Sequence, residues 1–108
     1  MSDGITMFVM ETHNWGKTAK FLQRVGFSLD FETDHNSGQL SNGDGAPVFV
    51  VEVPEGQEPR TAVVVAVPDE SVDAELDVVT PFEDTHYGTR EMTVRDPDGR
   101  IWTLRAPK

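Results

Sequence analysis

The apolar residues change their spacing twice within the first third of the chain. Residues 5–11 (Ile-Thr-Met-Phe-Val-Met-Glu) are a bulky, partly β-branched run bounded by polar Ser2-Asp3-Gly4 and Thr12-His13-Asn14, which predicts a strand. From Trp15 the apolar positions fall at 15, 19, 22 and 25, with Phe21 alongside, while Lys17, Lys20, Gln23 and Arg24 fill the other side. That spacing predicts an amphipathic helix. Asn14 or Thr12 can accept a hydrogen bond from a free amide of its first turn, and Gly26 can take the left-handed conformation that ends it. Lys20 and Arg24 suit the negative end of the helix dipole. Residues 27–32 then alternate apolar and polar, the period of a strand with one buried face.

Two more strands are expected at 38–42 and 48–53, separated by the turn-forming Asn42-Gly43-Asp44-Gly45. The first half therefore reads βαβββ. After a linker at 54–59, the unbroken apolar run 61–67 predicts a strand covered on both faces. Residues 69–76 have room for two helical turns at most. Strands at 77–80, 89–95 and 101–105 complete a second βαβββ order, a repeat of elements without repeated sequence.

The 108 residues are enough for one hydrophobic core, and a single domain is expected, with module one about 5–53 and module two about 60–105. A composition of 37% hydrophobic and 26% charged residues is that of a globular protein. The absence of cysteine removes disulfides, thiolate nucleophiles and cysteine-based zinc sites. Neither a signal peptide nor an apolar stretch long enough to span a bilayer is visible, so a cytoplasmic protein is expected. Nineteen acidic against nine basic side chains give a net charge of −10. A field of that sign repels nucleic acid and anionic membranes, excluding both as expected partners, and steers small cations in.

Asp96-Pro97-Asp98-Gly99 is a tight turn in which Pro97 presets φ and Gly99 takes the positive φ that closes a hairpin. The stretch from Tyr87-Gly88-Thr89-Arg90-Glu91 through this turn to Arg100-Ile101-Trp102-Thr103-Leu104 resembles the closing strands of the vicinal-oxygen-chelate superfamily, which includes glyoxalases, bleomycin-resistance proteins and dioxygenases. Phe21-Leu22-Gln23-Arg24-Val25-Gly26-Phe27 resembles the same superfamily's helix ending. The resemblance implies an α+β fold of two βαβββ modules whose curled mixed sheets form a cup, commonly as a homodimer. The short segment 69–76 departs from it, because the superfamily normally has a full second helix there, so the second helix is expected to be shortened.

Metal-dependent members of that superfamily supply His, Glu or Gln ligands from four strands, since a divalent ion needs several fixed lone pairs at about 2 Å. Carried over position by position, the first-strand ligand falls on Met7, the last-strand one on Thr103, the one opening module two near Ala62, and the fourth within 48–51. None of these is a usual ligand. His13, His35 and His86 lie at a helix start and in loops without paired spacing. No metal and no cofactor are therefore expected. If Met7 and Thr103 face the cup, alternation places Val9, Glu11, Ile101 and Arg105 beside them, with Trp102 and Leu104 packed outward. Phe49 and Val51 share one face of their strand; so do Arg90, Met92 and Val94, with no anchor for the register. His86 and Tyr87 stand in a loop fit to rim a pocket. The expected ligand-contacting set is thus Met7, Val9, Glu11, Phe49, Val51, Ala62, His86, Tyr87, Arg90, Met92, Thr103 and Arg105, and no catalytic residue is assigned.

That set suits a planar, partly apolar ligand. The expected function is a metal-independent small-molecule binding protein that sequesters an aromatic or cationic compound such as an antibiotic. The alternatives are a lyase, isomerase or dioxygenase of the same superfamily, using Glu11, His86, Tyr87 or Arg90 as acid, base or anion holder, and an interaction module without a small ligand.

Overall fold

The computed structural model describes residues 2–108. The fold is α+β, with one helix and eight strands among the described residues: β1 (Gly4–Thr12), α1 (Trp15–Arg24), β2 (Ser28–Glu32), β3 (Ser37–Ser41), β4 (Val48–Glu52), β5 (Thr61–Ala66), β6 (Asp77–Asp84), β7 (Arg90–Arg95) and β8 (Ile101–Ala106). No helix among these residues is long and apolar enough to cross a membrane. The chain divides into two units. The N-terminal unit is Met7–Thr61, and the C-terminal unit is Ala62–Lys108 with residues 2–6.

In the N-terminal unit the strands lie in the order β2-β3-β4-β1. β1 and β4 run parallel, with Phe8 opposite Val48 and Met10 opposite Val50. β3 pairs antiparallel with both neighbours, placing Leu40 opposite Val48 and Gly38 opposite Val50. Residues directly opposite share a face, so Phe8, Met10, Leu40, Val48 and Val50 form one apolar floor. α1 covers it. Trp15, Ala19 and Leu22 recur at helical spacing and are buried with Leu40, Val48 and Val50, while Phe8, Met10 and Phe27 close the margins. Burying side chains of this size contributes roughly 1.5–3 kcal/mol each, more than the intrinsic preference of a ten-residue helix can supply.

The ends of α1 are fixed as the sequence predicts. Asn14 accepts from the Lys17 amide at 2.9 Å, and Gly26 follows the C-terminal turn at φ 111°. The sequence has no acid in the first turn; β2 and β4 supply them instead. The Trp15 amide donates to Glu52 at 2.9 Å and its indole N–H donates to Glu32 at 2.9 Å, so two carboxylates stand at the positive end of the helix. The indole lies directly over Gly38. A Cβ there would meet the Trp15 ring at 2.6 Å and the Phe31 carbonyl at 2.6 Å.

The C-terminal unit repeats the same order, β6-β7-β8-β5, with β5 and β8 parallel and the other pairs antiparallel. Val63 opposes Trp102 and Val65 opposes Leu104. Across β8, Trp102 opposes Val94 and Leu104 opposes Met92. Trp102 and Leu104 thus occupy the places held by Val48 and Val50 in the first unit, and Val94 and Met92 those of Leu40 and Gly38. No helix covers this second floor. Residues 69–76, expected to hold up to two helical turns, make only isolated turns. Pro68 precedes the segment, and the carboxylates of Asp69 and Asp73 accept from the amides of Ser71 and Glu75 at 2.9 and 2.8 Å. Such local bonds compete with helical ones, and Asp69, Glu70, Asp73, Glu75 and Asp77 repel one another with no basic residue between them. β6 runs further than the expected 77–80, past Pro81, because an outer strand tolerates a missing donor and its register shifts there.

Gly38→Ala is expected to destabilise the protein by roughly 1–3 kcal/mol, the usual effect of overpacking. The check is urea unfolding, in which the midpoint should fall with the slope unchanged; an unaltered midpoint would contradict the close approach of Trp15.

Candidate functional site

The face of the N-terminal unit opposite α1 carries the remaining residues of the same strands. Val9 lies opposite Phe49 and Glu11 opposite Val51, and Gln39 pairs with Phe49 across β3. Five residues of the expected ligand-contacting set, Met7, Val9, Glu11, Phe49 and Val51, therefore share one face, and all are only partly buried. The sequence reading missed Phe31. A register shift between Leu29 and Phe31 turns Phe31 onto this face, where its ring lies 6.5 Å from Phe49 in a tilted arrangement and remains 49% exposed. Gln39 and Ser41 donate to Asp30 at 3.0 and 2.8 Å along the outer margin. Glu11 is held at the other margin: it accepts from the Arg60 amide at 3.1 Å and from Gln57 at 3.4 Å, fastening the linker that follows β4.

In the C-terminal unit the corresponding face is polar. Thr103 and Arg105 alternate with Trp102 and Leu104, so they point away from the floor described above; Ala62, Val64, Glu91 and Thr93 share their side. Glu91 is the centre of this face. It is 8% exposed, and it accepts from Tyr87 Oη at 2.6 Å, Thr89 Oγ1 at 2.8 Å and Arg105 Nε at 2.8 Å. Burial pushes its carboxyl upward, but the hydrogen bonds from Tyr87, Thr89 and Arg105 outweigh it and hold the group below the usual range. Tyr87 moves the other way. Partial burial and the adjacent Glu91 carboxylate raise its phenol, keeping it a neutral donor.

The structure therefore brings Ala62, Tyr87, Thr103 and Arg105 to one side of the second unit and leaves Arg90 and Met92 on the other. Met92 is 1% exposed within the apolar floor. Arg90 donates to both Glu70 oxygens at 2.9 and 3.1 Å and lies 3.6 Å from Asp84, so its partners are carboxylates other than Glu91. His86 stands in the exposed loop with its ring edge-on to Tyr87 at 5.1 Å. The signal for Glu91 was present in the hairpin. Asp96 closes the turn through backbone bonds with Gly99 and Arg100, and counting back from it along both strands puts Glu91 opposite Arg105.

No protein-family model and no curated protein matches the chain. Solved structures do. A member of the glyoxalase/bleomycin resistance protein/dioxygenase superfamily from Vibrio splendidus 12B01 matches with a TM-score of 0.72 at 17% identity, over 94% of this chain and 97% of that one. The chain has the fold of the glyoxalase/bleomycin-resistance/dioxygenase superfamily. A structure described as the NAD-dependent benzaldehyde dehydrogenase of Legionella pneumophila matches with a TM-score of 0.70 at 10% identity, over 94% and 98% of the two chains. At these identities the likeness to both is one of fold.

The residues at the positions that the resemblance assigns to metal ligands do not fit a metal ion. Met7, Ala62, Thr103 and the stretch Val48-Phe49-Val50-Val51 offer one thioether, one hydroxyl and hydrocarbon, where a divalent ion needs imidazoles or carboxylates. Among the described residues no three His, Asp or Glu side chains are grouped to hold one elsewhere.

Glu91→Gln is expected to lower stability at neutral pH by roughly 1–3 kcal/mol, since it removes the charged acceptor of three donors. A depressed carboxyl contributes stability that is present above its ordinary value of 4.5 and lost as pH falls through the lower folded value. The difference between wild type and variant should therefore shrink below about pH 4.5 in denaturant titrations at several pH values; a constant difference down to pH 3 would contradict this account.

Proposed function

We propose that the protein binds a small, planar, partly apolar molecule without the help of a metal ion, and that it does so on the face formed by Met7, Val9, Phe31, Phe49 and Val51. The observation that carries this reading is the contrast between the two faces of one sheet. The side beneath α1 is closed, whereas the opposite side presents two aromatic rings, a methionine and two valines that the N-terminal unit leaves partly open. Two tilted rings and a flexible thioether adapt to a flat ligand with little reordering. The net charge of −10 favours a cationic one. An antibiotic carrying an aromatic cation is the ligand type this chemistry suits, and sequestration requires no reacting group.

The acid–base alternative is weaker on physical grounds. Glu91 is the most buried carboxylate of the described residues, but three donors stabilise its charged form, which makes it a poor proton acceptor. Glu11 is engaged by the Arg60 amide and Gln57, and Arg90 by Glu70.

The test is a panel of planar aromatic cations and their neutral analogues, read by thermal unfolding. A ligand present at 100 times its Kd stabilises by about 2.7 kcal/mol, which raises the Tm of a domain of this size by roughly 10 °C or more. The expected result is such a rise for at least one cation, reduced at least fivefold in affinity by Phe49→Ala. No rise across the panel at millimolar concentration would overturn the proposal.

A further inference from the structure

Part of the second apolar floor, which no helix covers as α1 covers the first, is the base of an open groove of about 730 Å³ in the C-terminal unit. Val94, Trp102 and Leu104 form its floor, and Glu75, Leu76 and Pro97 stand on its sides. It lies on the side of β7 and β8 away from Thr103 and Arg105, so it is distinct from the polar face centred on Glu91.

Two observations say what fits there. The first is the repeat itself. Strand order, direction and residue pairing match between the units, and in the N-terminal unit the floor built this way seats an amphipathic helix. The floors differ in depth. Trp102 replaces Val48, and Met92 replaces Gly38, the glycine that lets the Trp15 ring descend. A helix on the second floor must therefore present small residues where α1 presents Trp15.

The second observation is charge. Residues 69–77 carry five acids and no base, and the last three residues, Glu75, Leu76 and Asp77, line the groove. The nearby arginines are already engaged: Arg95 with Asp77 at 3.3 Å, Arg100 with Asp96 at 2.8 Å, and Arg90 with Glu70. Glu75, which lines the groove, has no cationic partner among the described residues, so the rim carries uncompensated negative charge there. The seated helix α1 is the complement of such a rim, with Lys17, Lys20 and Arg24 and no acid.

We propose that this groove is the docking site for a basic amphipathic helix of a partner protein, one that presents small side chains to Trp102. A second copy of this chain does not meet the description, because its one described helix is seated on its own sheet. Helix-in-groove docking of this kind relies on apolar anchors at helical spacing, with rim charges setting orientation and salt dependence.

The probe is a synthetic peptide of residues 14–26 with Trp15→Ala, extended by alanine–lysine turns so that it is helical in water, labelled and titrated by fluorescence anisotropy. Saturable binding that weakens with salt, and that falls at least tenfold with Glu75→Lys and with Leu76→Ser, is expected. Both positions are exposed, so the variants should keep the wild-type circular dichroism. Four outcomes would overturn the proposal. One is no binding at millimolar peptide; another is binding that both variants leave unchanged. The third is equal binding of a peptide whose lysines and arginine are replaced by glutamates. Binding of phenyltrimethylammonium in the groove with no peptide binding would also overturn it, assigning the groove to a small molecule.

Discussion

The parallel pairing of β1 with β4, and of β5 with β8, is the constraint on which the other features depend. A strand presents alternate residues to opposite sides, so one register decides the fate of every side chain along it. In the first unit it sends Phe8, Met10, Val48 and Val50 under α1 and Met7, Val9, Phe49 and Val51 to the other side. In the second it divides Val63, Val65, Trp102 and Leu104 from Ala62, Val64, Thr103 and Arg105. A slip of one residue in either pair would exchange floor and open face.

The same scaffold is finished differently in the two units. Gly38 admits the Trp15 indole, which is anchored by Glu32 and closes the first floor. At the matching places Met92 and Trp102 fill much of the second floor from below, and the Trp102 indole donates to Asp96 within its own hairpin. Bulk in the sheet thus partly substitutes for a helix that residues 69–76 cannot form. The open faces differ as well. The first is apolar with a carboxylate at each margin, Asp30 and Glu11; the second is centred on Glu91, whose charge is satisfied by Tyr87, Thr89 and Arg105.

Much of this was legible in the chain. Helical spacing at 15, 19 and 22, with Asn14 and Gly26 as its ends, gave α1 within a residue, because the cap, the period and the burial all point one way. Alternation put Met7, Val9 and Glu11 on one face of β1, and Phe49 and Val51 on one face of β4, but only the pairing of the two strands joins these sets. Alternation fails where the backbone departs from it. Phe31 was hidden by a bulge in β2, and Arg90 and Met92 were placed with Thr103 because no anchor for β7 was used, although the Asp96-Pro97-Asp98-Gly99 turn provides one. The role of Glu91 depends on three partners from a loop and a neighbouring strand, which spacing along one strand does not reveal.

The central claim is that this register lines the open faces with side chains that do not suit a metal ion. Elemental analysis tests it most directly, on protein purified without chelator and again after incubation with Zn²⁺, Mn²⁺, Ni²⁺ and Fe²⁺ followed by desalting. Met7, Ala62, Thr103 and the valines of β4 predict occupancy near zero throughout. Stoichiometric retention of any of these ions would contradict the account.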